Sequence, residues 1–159
     1  MNTRLNRFVT KLLTVLFAIG CAVEVLLPLL LRRLFLRYEF LTVEGRDGRQ
    51  VSEALYYPKL ICGMAAGVFA LLILWELRKM MRTVVNGNCF VSANVQSLKR
   101  MSRCAALIAV FMLGSNLSAP TLTAGAMTLV FIIAGLFSRV LAGVFQEAVC
   151  YKEENDLTI

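Results

Sequence analysis

Apolar residues fall along this chain in long runs separated by short clusters of charge. The first run, FVTKLLTVLFAIGCAVEVLLPLLL, extends from Phe8 to Leu31. The second, LICGMAAGVFALLILWEL, covers Leu60 to Leu77 and reaches outward through Tyr56 and Tyr57. The third, CAALIAVFMLGSNL, is strictly apolar only from Cys104 to Leu113. The fourth is TLTAGAMTLVFIIAGLFSRVLAGVF. A bilayer core of ~30 Å takes about 20 helical residues, so runs one, two and four suffice by themselves. Run three becomes adequate when Arg100 and Arg103 snorkel at its start and Ser118 and Ala119 finish it. Pro120 then suits the first turn of the next helix. The pattern predicts an all-α integral membrane protein, a four-transmembrane-helix bundle in one domain over 1–159. Its spans lie near 8–31, 56–77, 102–119 and 121–145.

The stretches between the runs carry their own patterns. In 32–55, EFLTV and RQVS flank a turn with Gly and Asp, which allows a small β-hairpin. In 78–101, Asn86-Gly87 marks a turn and Ser92 suits the N-cap of a helix that runs into span three. Val91, Val95, Leu98 and Met101 then form one helical stripe. The preferred reading is an amphipathic helix resting on anionic lipid before span three; the other is a docking face for a cytosolic partner. Beyond Arg139, the apolar stripe Val140, Leu141, Val144, Phe145, Ala148 and Val149 continues span four. One helix from Thr121 to about Lys152 would be roughly 48 Å long, more than the membrane requires. Its end, within a tail over 146–159, would bring Glu147, Glu153, Glu154 and Asp156 toward Lys99, Arg100 and Arg103.

Charge gives these spans a direction. Seventeen Lys and Arg against ten Asp and Glu leave a net charge of +7. That excess flanks apolar runs, so it fits lipid headgroups and membrane orientation better than direct nucleic-acid binding. The segment 78–103 holds Arg78, Lys79, Arg82, Lys99, Arg100 and Arg103 and no acid. The turn between spans three and four holds no basic residue. The first is therefore expected inside and the second outside, with both termini cytoplasmic and the 32–55 loop extracytoplasmic. Arg32, Arg33 and Arg37 on the outside run against the rule.

Composition narrows the chemistry. Apolar residues make up 58% of the chain and the mean hydropathy is +0.71, beyond what soluble domains show. Histidine is absent, which removes the commonest general base and imidazole ligand. The five cysteines have no C-x-x-C spacing, which disfavours zinc and redox motifs. The expectation is no enzyme, no cofactor and no metal. AIGC at 18–21 loosely resembles a lipoprotein cleavage box, but the apolar run continues ten residues past Cys21.

Two intramembrane features stand out. Glu24 lies inside span one, and a carboxylate there is costly enough to be a functional candidate. As a proton or cation site it would resemble that of small four-helix drug/proton antiporters. The preferred reading is structural, a protonated glutamate or one paired with Arg32 or Arg33. Gly63 and Gly67 form a G-x-x-x-G, which lets helices approach closely. Packing within the bundle is preferred over association into a homo-oligomer. Ala105 and Ala109 are a weaker version in span three.

Two stretches, NGNCFVSANVQSLKRM and VLAGVFQEAVCYKEENDLTI, resemble the bacterial DUF2975 family of small four-span membrane proteins. Asn88, Phe90, Asn94, Leu98 and Lys99 match the family's N-P-F-x₃-N-x₃-L-[RK] pattern, with Cys89 where proline is usual. Glu154, Asn155, Asp156, Leu157, Thr158 and Ile159 match its terminal motif. The resemblance implies an inner-membrane protein of unestablished activity, often encoded beside a small helix-turn-helix regulator. The expectation is therefore a membrane partner or modulator of that cytosolic regulator. Asn88, Phe90, Asn94, Leu98, Lys99, Glu154, Asn155, Asp156, Leu157 and Ile159 are the docking candidates. The alternatives are a small transporter using Glu24 and an assembly factor for a larger membrane complex.

Overall fold

The computed structural model describes residues 3–35, 53–87, 90–118 and 122–156. They form four α-helices: α1 Thr3–Phe35, α2 Glu53–Val85, α3 Ser92–Ser118 and α4 Leu122–Asp156. No strand occurs among the described residues. The expected hairpin falls within 36–52, outside them.

Each helix outruns the hydropathy signal that announces it. In α2, Arg78, Lys79 and Arg82 end the apolar run but not the helix, because Arg and Lys are good helix formers. The helix stops where the backbone needs a left-handed residue. Gly87 has φ +82°, and its N–H bonds the Val84 carbonyl at 3.1 Å, as at a Schellman-type helix end. The amphipathic stretch from Ser92 and span three are one continuous helix of 27 residues, roughly 40 Å long. At 35 residues, α4 is about 52 Å long.

Three helices contain stretches long and apolar enough to cross a membrane: Asn6–Leu29, Leu60–Val85 and Leu122–Asn155. By the same measure of length and composition, α3 is not among them. Its first half carries Asn94, Gln96, Ser97, Lys99, Arg100 and Arg103.

Neighbours in sequence are neighbours in space. α1 packs on α2, α2 on α3, and α3 on α4. α3 is the common partner, and α1 packs chiefly on α2. At the α1–α2 contact, the Phe17 and Trp75 rings lie 5.7 Å apart. At α2–α3, Phe69 stacks on Phe111 at 5.9 Å. At α3–α4 the backbones come close. Ser102 Oγ donates to the Gly135 carbonyl at 2.8 Å, and a β-carbon at 135 would stand 3.4 Å from both Ala105 Cβ and the Ser102 carbonyl. Ala105 and Ala109, the weaker small-residue pair, are buried with Ile108 and Ala142.

The stripe at the start of α3 does not rest on lipid. Val95 and Leu98 are buried within the protein, between the helices that flank them.

Candidate functional site

The polar side chains gather at two places, both on α2. The first is where α2 ends and α3 begins. Glu76 is only 8% exposed. Ser97 donates to its Oε2 at 2.7 Å, and Arg100 donates to its Oε1 at 3.0 Å as an ion pair. Ser97 and Asn94 are each 2% exposed. Two turns along α2, the Thr83 hydroxyl donates to Asn94 Oδ1 at 2.8 Å. Asn94, Ser97 and Arg100 follow one another at three-residue steps, so α3 turns all three toward α2.

This cluster supplies the carboxylate with a cation and a hydroxyl donor, which is what an acid out of water requires. Sequence reasoning had assigned Glu76 to the end of span two and given it no role. The available signal was a lone acid at the edge of an apolar run, facing the most basic segment of the chain.

The motif residues also work inside the molecule. Phe90 lies 5.6 Å from the Phe145 ring of α4 and is 46% exposed. Lys99 Nζ donates to Gln146 Oε1 at 2.9 Å. Asn94 holds α2, and Leu98 is 5% exposed. The pattern therefore clamps the start of α3 between α2 and α4, and Asn94 and Leu98 present no surface to a partner. Lys99 and Arg100 turn to Gln146 and Glu76 rather than to the acids at the end of α4. Arg103 Nε donates to the Lys99 carbonyl. Glu154 and Asn155 lie on the last turns of α4, exposed, near Tyr151 and Glu153. Asn88, Leu157, Thr158 and Ile159 fall outside the described residues, as does the Asp156 side chain.

The second place is the α1–α2 contact. The Glu24 carboxylate lies directly over Gly67, where a β-carbon would overlap it. Its Oε1 is buried with no hydrogen-bond partner among the described residues. The expected pairing with Arg32 or Arg33 concerns side chains outside that description. Four residues on, Pro28 has no N–H to return to the Glu24 carbonyl. Sequence reasoning had found Glu24 and Gly67 separately, and the fold joins them. Gly63 differs: among the described residues, a β-carbon there meets nothing within 4 Å.

No group of three or more Cys, Asp or Glu side chains suited to a metal ion occurs among the described residues. Residues 49–159 match the family described as "Protein of unknown function (DUF2975)". That match begins just before α2, so it takes in the Glu76 cluster and leaves α1 outside. No curated protein and no solved structure matches the chain.

Proposed function

The chain belongs to the DUF2975 family, and from that membership and the geometry above we propose a non-enzymatic, multi-pass inner-membrane protein that binds a cytosolic regulator. Four helices cross the membrane in this reading. α3 crosses although its composition is too polar to be recognised alone, because it lies between α2 and α4 and hands Arg100 to Glu76. The α2–α3 turn and the end of α4 face the cytoplasm, in keeping with the basic segment 78–103.

One observation carries the docking reading. α4 is about 52 Å long where the hydrocarbon core takes ~30 Å, so its last turns stand clear of the membrane. Those turns expose Tyr151, 71% accessible, together with Glu147 and Glu154, which share its helix face at i−4 and i+3. An exposed aromatic among acids suits a protein partner with a basic surface. The clamp made by Asn94, Leu98 and Lys99 would hold this face in place rather than touch the partner.

The test is recovery of the neighbouring helix-turn-helix protein by the full-length chain, by a form lacking Tyr151 to Ile159, and by Y151A/E147K. Full-length recovery that falls severalfold in the other two supports the reading. Equal recovery from all three removes α4 from the interface, and no recovery at all removes the partner.

A second reading rests on Glu24. A carboxylate oxygen buried between two spans without a hydrogen-bond partner is suited to taking up a proton or cation. Glu24→Gln should then abolish proton-coupled flux in vesicles containing the purified protein. Unchanged flux, or none in the parent, leaves Glu24 as a packing element.

A further inference from the structure

Between the start of α1 and the end of α2 lies an open cleft of about 610 Å³. From α1 it is lined by Arg7, Thr10, Lys11, Thr14 and Val15, and from α2 by Arg82, Val85 and Asn86. Three of those eight side chains are cationic and none is acidic. Arg7, Lys11 and Arg82 are exposed, and the Arg100–Glu76 ion pair lies elsewhere.

The depth of the cleft is informative. The apolar stretch of α1 begins at Asn6 and that of α2 ends at Val85. The cleft therefore lies where both helices pass from apolar to polar, the level at which lipid headgroups sit. Three cationic residues lining one cleft, with no acid in that lining, favour an anion there. Below the cations, Val15, Ile19 and Leu26 are exposed on one face of α1. That face leads from the cleft into the hydrocarbon.

We propose that this cleft binds one anionic phospholipid, its phosphate held by Arg7, Lys11 and Arg82 and an acyl chain laid along Val15 and Ile19. The occupant is a lipid rather than a soluble phosphate compound because a mainly apolar cleft with three cationic residues in its lining continues onto the exposed apolar residues Val15 and Ile19. Asn86 adds an amide for the glycerol or headgroup hydroxyls. The site lies on α1 and α2, away from the Tyr151 face, and does not depend on the docking proposal.

The experiment is native mass spectrometry of the full-length protein in mild detergent, titrated with phosphatidylglycerol and separately with phosphatidylcholine. Each cation near a lipid surface contributes roughly fivefold in affinity, so R7Q/K11Q/R82Q should lose on the order of a hundredfold for phosphatidylglycerol. R103Q/R139Q/K152Q removes the same charge outside the cleft and should bind as the parent does. Glycerol phosphate, which has the anion without the chains, should not displace the bound lipid. Equal binding of the two lipids overturns the proposal, as do parent-like binding by the cleft variant, equal loss in both variants, and displacement by glycerol phosphate. The cleft side chains are exposed, so circular dichroism should show the same helicity in all three proteins.

Discussion

At the residue scale, Gly67 and Glu24 are one unit. A methyl at 67 must displace a carboxylate that already fills its place. The obstructing atoms are the end of a flexible side chain, so Gly67→Ala should turn the Glu24 carboxylate aside and destabilise the detergent-solubilised protein by about 1 kcal/mol, the low end of overpacking costs. In an E24A background the same substitution should cost little, because the obstructing group is gone. A double-mutant cycle on thermal unfolding measures this coupling, and additive effects would separate the two residues. Glu76 offers a second residue-level expectation. Arg100→Leu leaves a buried acid held by Ser97 alone, while Ser97→Ala removes one bond to a charged acceptor. The second change should cost about 1.5–3 kcal/mol and the first more.

At the element scale, the α3–α4 contact depends on a missing side chain. Gly135→Val should push the helices apart at Ser102 and Ala105 and lower the unfolding temperature more than Gly63→Val, whose site is open. The apolar runs located the helices, α3 only with help from its flanking arginines, and the stripe beyond Arg139 carried α4 close to its end, but nothing in hydropathy extended α2 past Leu77. Helix ends are set by single backbone requirements, and Arg78, Lys79 and Arg82 satisfy a helix as well as leucine does. The helix that Ser92 caps and that runs into span three was legible from its N-cap and its apolar stripe. Asn94 and Leu98 were legible as special positions. Their roles were not, since a buried amide and a docking amide have the same letter. The Glu76–Ser97–Arg100 cluster joins positions more than twenty residues apart, and no periodicity within one helix announces such a pairing.

At the scale of the whole molecule, the membrane reading makes a prediction about sides. Cys150 is exposed on α4, while Cys21, Cys62 and Cys104 are partly covered. In a C89S background, a membrane-impermeant maleimide should label Cys150 in inside-out vesicles and leave it unlabelled in intact spheroplasts. The reverse pattern would invert the orientation. The serial packing also ranks the helices by their dependence on one another. α1 has the highest mean hydropathy of the three apolar helices, 2.4, and lies outside the family match. It needs only α2 as a neighbour, whereas α3 needs partners on both sides.

The Glu76–Arg100 pair also bears on how such a chain enters a membrane. Segments leave the ribosome in order, and each must either partition into lipid or wait. A lone arginine at the centre of a span resists partitioning by several kcal/mol, less toward its end. α2 would arrive first, carrying an acid already at the right depth. α3 follows, with Arg100 24 residues after Glu76, and brings the matching cation, so the two charges enter the cytoplasmic edge of the bilayer as a neutral pair. On the four-span reading, Glu76→Ala should therefore leave α3 partly uninserted in newly made chains. Glycosylation or protease mapping of an acceptor placed after Leu117 would show it, before any difference in the stability of the finished protein comes into play.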